Sequence, residues 1–335
     1  IARHQAKGGS IVVLDAKTGE ILALANQPDF NPNNRHNFQP GPMRNRAVID
    51  TFEPGSTIKP FVAAAALEQG LFAPDSVLDT PGTWRVGSKL VRDLHPRPQM
   101  TVTEIIQRSS NVGSVKLAMA MSPQQYWEVL RRSGFGELPG SGFPGETAGR
   151  LRDASTWRPV EHATMSYGYG LSVSLLQLTR AYMAFANDGE VVPLSFLKRE
   201  PQEVAGERVF SPEVARQVRS MMEAVTQEGG TGQLTRVPGY RVAGKTGTAH
   251  KVVDGRYAAD RYLSSFVGLA PASNPRLIIG VVIDEPSAGV FYGGSVAGPV
   301  FAKVMAASLR QLGLPPDATE DGTRMTQNTL PDGGA

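Results

Sequence analysis

The chain has 335 residues, ample for one large core or two smaller ones, and 41% apolar with 19% charged residues is the make-up of an ordinary globular protein. A formal net charge of +3, with no block rich in lysine and arginine, argues against nucleic acid as a partner. The absence of cysteine excludes disulfides, thiolate metal sites and a cysteine nucleophile, and no apolar run reaches the ~18–20 residues that span a bilayer.

The chain opens at Ile1 without a signal peptide and reads as a fragment or processed product whose anchor has been removed. Its first element is a hairpin: a β-rich run from Ser10 to Asp15, a turn over Ala16-Lys17-Thr18-Gly19, and a return from Glu20 to Ala25. Both strands are apolar nearly throughout, which predicts a sheet covered on both faces. Asn26 to Gly41, rich in Asn and Pro, is expected to be loop.

A helix follows near Thr57 to Gln69, apolar on every side and so expected to be buried all round, with Pro60 near its first turn and Gly70 placed to end it. At its mouth stands Ser56-Thr57-Ile58-Lys59. Ser56 and Lys59 are three apart and share one helix face, about 5–6 Å apart at Cβ. A lysine with an ordinary pKa of about 10.4 cannot accept a proton at neutral pH. Burial and a neighbouring positive charge, for which Lys245 is the candidate, would lower that value, and the helix N-terminus would favour negative charge at Ser56. Taken alone, the tetrad reads as a capping serine and a surface lysine.

From Thr103 to Met121 the pattern is helix, break, helix, with Ser109-Ser110-Asn111 at the break. Helix capping explains Ser and Asn there. In an acyl-transfer site Ser109 would instead relay a proton to a leaving amine, and Asn111 would hydrogen-bond substrate amides. Further helices are expected from Val173 to Ala186, Pro212 to Val225 and Gly298 to Leu312, and strands from Leu263 to Leu269 and Leu277 to Asp284. The tail from Pro315 to Ala335 has little to bury and is expected to be disordered. Strands at both ends with helices between imply an α+β sandwich whose first and last strands meet.

Lys245-Thr246-Gly247-Thr248 reads as a sheet edge, where Gly247 lets a peptide approach the backbone. Lys245, Thr246 and Thr248 would offer one charge and two hydroxyls to a terminal carboxylate. The N–H groups of Ser56 and Thr248 are the candidate oxyanion hole. The plainer alternative is a turn between strands.

Other chemistries find no support. The five histidines (His4, His36, His95, His162, His250) form no i,i+4 pair and no H-E-x-x-H, so no zinc site or other metal or cofactor is expected. Glu228-Gly229-Gly230-Thr231-Gly232 lacks the Lys-Ser/Thr of a phosphate loop, and Glu53-Pro54-Gly55-Ser56 is not a G-x-S-x-G elbow.

The S-x-x-K, S-x-N and K-T-G strings in this order resemble penicillin-binding proteins and class A β-lactamases. The resemblance extends from Gly8 to about Leu312, through Asn31-Pro32-Asn33-Asn34-Arg35, Met43-Arg44-Asn45-Arg46-Ala47, Phe52-Glu53-Pro54-Gly55-Ser56-Thr57, Ser141-Gly142-Phe143-Pro144-Gly145-Glu146 and Tyr167-Gly168-Tyr169-Gly170-Leu171. In this breadth the chain resembles the transpeptidase domain of class B penicillin-binding proteins, most of all the division-specific D,D-transpeptidases.

The resemblance implies a β-lactamase/D,D-peptidase-like fold with a five-stranded antiparallel sheet between helical layers, residues 1–314 forming the domain. It implies an acyl-enzyme on Ser56 made from a D-Ala-D-Ala stem peptide of peptidoglycan, resolved by a neighbouring stem's amine, and trapped by β-lactam antibiotics. It also implies a glycan polymerase and division proteins as partners. The location implied is the periplasmic face of the inner membrane, through an anchor and pedestal that this chain lacks. Tyr167 and Tyr169 would line the cleft, and Tyr262 with Phe291 and Tyr292 would build an apolar wall; core packing is the alternative for all five.

The middle string is Ser-Ser-Asn where β-lactamases often carry Ser-Asp-Asn. Val160-Glu161-His162-Ala163-Thr164-Met165 does not match a deacylating glutamate loop, although Glu161 is suggestively placed. A β-lactamase and a D,D-carboxypeptidase are therefore secondary enzymatic readings. A non-turnover β-lactam sensor is the rival from another class.

Overall fold

The computed structural model of the chain describes residues 1–34, 40–200, 204–253 and 255–318. Its main strands are β1 (Gly8–Asp15), β2 (Ile21–Gln27), β9 (Ala243–Val253), β10 (Arg256–Ala270) and β11 (Leu277–Asp284). Between them lie the short strands β3 (Val77–Asp79), β4 (Thr83–Val86), β5 (Lys89–Arg92), β6 (Gln99–Thr101), β7 (Glu190–Val191) and β8 (Glu207–Arg208). The helices are α1 (Pro40–Met43), α2 (Arg46–Ile49), α3 (Lys59–Glu68), α4 (Val102–Arg108), α5 (Asn111–Met119) and α6 (Pro123–Arg132). They continue with α7 (Pro159–Met165), α8 (Leu175–Ala181), α9 (Met183–Ala186), α10 (Pro212–Ala224), α11 (Gly293–Val296) and α12 (Gly298–Gln311).

The five long strands form one antiparallel sheet in the order β2-β1-β11-β10-β9, so the first strand pairs with the last, Gly8 opposite Asp284. Successive side chains point to opposite faces of a strand, and each face has its own core. On one side α8 lies so close to β11 that a Cβ on Gly280 would stand 2.1 Å from Thr179 Oγ1. Beyond α8 is an aromatic cluster in which Phe61 of α3 meets Phe135, Tyr182 and Phe185 at 4.9–5.7 Å between ring centres. On the other side α12 sets Phe301 edge-on to Phe266 of β10 at 4.6 Å. This is the α+β arrangement read from the sequence.

The hairpin differs from expectation on one point. β1 is buried nearly end to end, but β2 alternates half-buried with exposed residues, and Leu22 is 41% exposed. The reason is strand order: β2 is the sheet edge, and its apolar composition does not make it a covered strand. The predicted loop from Asn26 begins two residues late, because Asn26 and Gln27 still belong to β2; Arg35 and His36 lie outside the described residues.

The buried helix forms as read. Residues 59–67 of α3 are all buried, Pro60 sits where no intrahelical donor is needed, and Gly70 takes φ +65° just past the end. The stretch expected as one helix from Val173 divides at Tyr182 into α8 and α9. α6 and α7 were missed, although α6 carries a readable start signal: Ser122 and Gln125 form a capping box with Pro123 at the first helical position. At the C-terminus, residues 315–318 lie against the body. Asp317 accepts hydrogen bonds from the backbone N–H groups of Arg241 and Ser273, while residues 319–335 of the expected tail are outside the described residues. No helix among the described residues is long and apolar enough to cross a membrane.

Candidate active site

The fold brings the three strings together from three distant parts of the chain. Ser56 lies in a 3-10 turn, Gly55–Ile58, that runs straight into α3, and the Lys59 backbone N–H donates to the Ser56 carbonyl. Glycines let this turn approach its neighbours closely. Gly55 has φ +56° and donates to the Gly168 carbonyl at 3.2 Å; Gly168 has φ +87°, and a Cβ there would stand 2.1 Å from Gly55 O. The turn is further fixed by the buried Tyr182 hydroxyl, which donates to the Thr57 carbonyl at 2.7 Å.

Lys59 is wholly buried. Its Nζ donates to the Ser109 carbonyl at 2.6 Å, to Asn111 Oδ1 at 2.7 Å and to Ser109 Oγ at 3.2 Å. Burial pulls its pKa down to about 7 against the opposing pull of the Asp93 carboxylate. Lys245, also wholly buried, lies well below the ordinary lysine value through burial, to which the charge of Lys59 adds. Burial, one of the two causes expected to lower Lys59, is the main one, and the repulsion between Lys59 and Lys245 disfavours charging both together.

The break between α4 and α5 has a defined shape. Ser109 ends α4 in the left-handed region at φ +61°, an uncommon conformation for a residue with a Cβ, and so presents both its carbonyl and its hydroxyl to Lys59. Ser110 caps α5, accepting from Gly113 N–H at 2.8 Å. Asn111 is held on both ends of its amide, accepting from Lys59 and donating to the Arg92 carbonyl at 2.9 Å. Asp93, which sequence reasoning missed, braces the whole break. Its carboxylate accepts from Ser110 Oγ at 2.6 Å, Asn111 N–H at 2.5 Å and Val112 N–H at 2.9 Å.

Lys245, Thr246, Gly247 and Thr248 lie on β9, the other edge of the sheet. Lys245 Nζ donates to Thr246 O and Oγ1, both at 3.3 Å, and Thr246 Oγ1 also shares a hydrogen bond with Thr231 Oγ1 at 2.8 Å. Thr248 Oγ1 accepts from Gly293 N–H at 3.0 Å. Gly247 has a role the sequence did not reveal. A Cβ there would stand 2.3 Å from Ser265 Oγ, 2.9 Å from Thr57 Cγ2 and 3.1 Å from Pro54 O, so its missing side chain makes room for the turn that carries Ser56.

The aromatic candidates divide. Tyr167 is buried in a small cluster with Val86, Val91, Val112, Val115 and Ala163, where burial pushes its hydroxyl up to about 12. Tyr169 is only partly buried; its hydroxyl accepts from His250 N–H of β9 at 3.5 Å. Tyr262 stacks on Phe291 at 4.0 Å, and Tyr292 lies 4.6 Å beyond Phe291. Glu161, considered as a water-activating carboxylate, is engaged elsewhere: it accepts the Arg158 N–H at the start of α7 and ion-pairs with Arg152 at 2.9 Å.

Cavity volume does not mark this site. A depression of about 640 Å³ between α2 and the sheet, and another of about 650 Å³ beside Trp84, contain none of Ser56, Lys59 and Lys245. The chemistry marks it instead: a hydroxyl, two buried lysines of depressed pKa, and a second hydroxyl within hydrogen-bond reach of one of them can support acyl transfer.

Comparison with known proteins agrees with this geometry. Residues 9–306 match the family model for the penicillin-binding protein transpeptidase domain. The chain is 51% identical over 315 residues, 93% of its length and 54% of the relative's, to the probable peptidoglycan D,D-transpeptidase PenA of Neisseria gonorrhoeae. It is 43% identical over 325 residues, 97% of its length and 55% of the relative's, to the peptidoglycan D,D-transpeptidase FtsI of Escherichia coli K12. It thus spans about half the length of these relatives. The apo TP domain of Burkholderia pseudomallei penicillin-binding protein 3 superposes with a TM-score of 0.87 at 43% identity, covering 95% of this chain and 92% of that one.

Proposed function

The chain belongs to the penicillin-binding protein transpeptidase domain family, and from that premise we propose that it is a serine D,D-transpeptidase that cross-links the D-Ala-D-Ala stem peptides of peptidoglycan and is acylated by β-lactams. The observation that carries this reading is Lys59, wholly buried one turn after Ser56, with a pKa brought down to about 7 and its Nζ on Ser109 and Asn111.

In the proposed mechanism the donor lies along the open edge of β9, with its terminal carboxylate toward Lys245, Thr246 and Thr248. An arriving carboxylate favours the ammonium form of Lys245, which burial otherwise disfavours. Neutral Lys59 takes the proton as Ser56 Oγ attacks the penultimate D-Ala carbonyl. The N–H groups of Ser56 and Thr248 receive the developing oxyanion. Ser109, in contact with Lys59, passes a proton to the departing D-Ala nitrogen, leaving an ester on Ser56. An amine from a second stem attacks that ester, forming the C–N cross-link and restoring Ser56. Asn111 positions Lys59, and Tyr262, Phe291 and Tyr292 flank the substrate. With the donor on the sheet edge, the membrane anchor, the periplasmic setting, the septal role and the glycan polymerase partner belong to the same proposal, for the longer protein.

The test is intact mass after adding benzylpenicillin, with Ser56→Ala alongside. One stable adduct, lost in the variant, is the expected result. A transient adduct with consumed drug would make the protein a β-lactamase, and an adduct that survives in Ser56→Ala would remove Ser56 from its role.

A further inference from the structure

The strand that carries Lys245 to Thr248 is weakly held by the sheet itself. β9 is an edge, paired only with β10, and that pairing breaks where β9 runs on past His250. His250 lies opposite Tyr262 and Val252 opposite Tyr257, so the two steps from His250 to Val252 face the five from Tyr257 to Tyr262. Lys251 falls at this break. Extra residues on one strand disrupt the ladder and let the strand bend, and an edge strand has no second neighbour to correct it.

Charge holds β9 at this point. Lys251 Nζ reaches past β10 to the end of β11, donating to Asp284 Oδ1 at 2.7 Å and to Glu285 Oε1 at 2.5 Å. Asp284 Oδ2 accepts in turn from Arg46 Nη2 at 2.8 Å, and Arg46 Nε donates to Asp50 Oδ2 at 3.0 Å. The linking side chains are largely withdrawn from water, with 9% of Asp284, 19% of Lys251 and 21% of Arg46 exposed. Burial works against the charge of Lys251, but its hydrogen bonds to Asp284 and Glu285 outweigh that and raise its pKa. These pairs cross the depression of about 640 Å³ between α2 and the sheet, an opening that packing does not fill.

Both ends of this run of ion pairs lead to the site. Arg46 and Asp50 belong to the segment that enters the Ser56 turn by way of Phe52, whose backbone pairs with Val173. Lys251 follows Thr248 on β9. The turn itself rests on β9: Thr57 Cγ2 and Pro54 O flank Gly247, and a Cβ on Gly55 would stand 3.3 Å from Ala249 Cβ. A shift of β9 against α2 therefore changes how Ser56 and Lys245 face each other. We propose that Lys251, with Asp284 and Arg46, is a positioning device for acyl transfer that locks the strand of Lys245 to Thr248 onto the segment leading into Ser56. The three act through the strand and the turn, away from the reacting atoms. This rests on the transpeptidase reading above and adds the residues that set its geometry.

The experiment follows acylation by benzylpenicillin at rising drug concentration, which separates the limiting rate from the apparent affinity, while the adduct amplitude reports the folded fraction. Lys251→Met is expected to lower the limiting rate about tenfold, short of the ~100-fold that a 1 Å misplacement can cost. Lys251→Arg, which keeps the charge and the reach, should stay within about threefold of wild type. Arg46→Lys keeps its charge but cannot span Asp50 and Asp284, and should also slow the step about tenfold. Because both side chains act through one connection, the double variant should be slowed about tenfold rather than about a hundredfold. Slowing of about a hundredfold in the double variant would overturn the inference, as effects that simply multiply come from independent sites. A wild-type limiting rate in Lys251→Met, no rescue by Lys251→Arg, or a loss confined to affinity or amplitude would also overturn it, leaving the transpeptidase reading intact. No labelling of wild-type Ser56 would overturn that reading and this inference with it.

Discussion

In the proposed mechanism the protonation state of Lys59 sets the pH at which Ser56 is acylated. With a pKa of about 7, half of the lysine is neutral at neutral pH; at the ordinary value of about 10.4 only about one molecule in 2,500 would be. The acylation rate by benzylpenicillin, followed by stopped-flow or gel fluorescence, should therefore rise about tenfold from pH 6 to pH 8, with a midpoint near 7, and flatten above. The same shift has a signature in stability. The folded pKa lies below the unfolded one, so below about pH 7 both states carry the proton and the folded state bears the full penalty. From pH 7 to about 10.4 the unfolded chain holds a proton that the folded one has released, and stability rises with pH. Between pH 7 and 8.5 that rise is about 1.6 kcal/mol for this one group. It should appear as a difference in denaturant midpoint between wild type and Lys59→Met, which cannot titrate there. A rate profile flat from pH 5.5 to 8.5, or one still climbing tenfold per unit above pH 9, would refute the assignment of Lys59 as the base.

Two further substitutions probe the frame around it. Asp93→Asn removes the charge that opposes the depression of Lys59 and weakens three hydrogen bonds at the start of α5. The acylation midpoint should move below its wild-type pH, with about 1–3 kcal/mol lost in chemical denaturation; an unmoved midpoint would mean Asp93 is only a cap. Gly168→Ala places a Cβ against the backbone of Gly55 at a φ of +87°. It should cost at least about 1–3 kcal/mol in denaturation and slow acylation well over tenfold, since the displaced segment carries Ser56. Wild-type acylation in that variant would show that the turn tolerates displacement.

What could be read in advance was local. Ser56 with Lys59, and Lys245 through Thr248, are short strings whose spacing fixes their geometry once the helix or strand is known. The buried helix declared itself by alanines on every side. The brace on Ser109-Ser110-Asn111 was hidden, because Asp93 lies at the end of a small hairpin and only the fold sets its carboxylate at the start of α5. Tyr167 and Tyr169 are the same residue type two positions apart, and only packing distinguishes the buried one from the one at β9. Apolar composition likewise could not reveal that β2 is an edge, since strand order depends on partners more than 200 residues away.

That strand order has a consequence for how the molecule comes into being. β1 is held between β2 and β11, and its closing partner is among the last strands to be synthesised. Pairings this distant in sequence are slow to form, because the chain between must be ordered before they can close. The hydroxyl at Ser56 emerges early from the ribosome, whereas the Lys245 strand and β11 emerge late. An unfinished chain thus carries Ser56 without the edge strand that holds Lys245. Under the proposed mechanism, chemical competence arrives only with the complete sheet, and a chain that ends before β9 is expected to take up no benzylpenicillin label at Ser56.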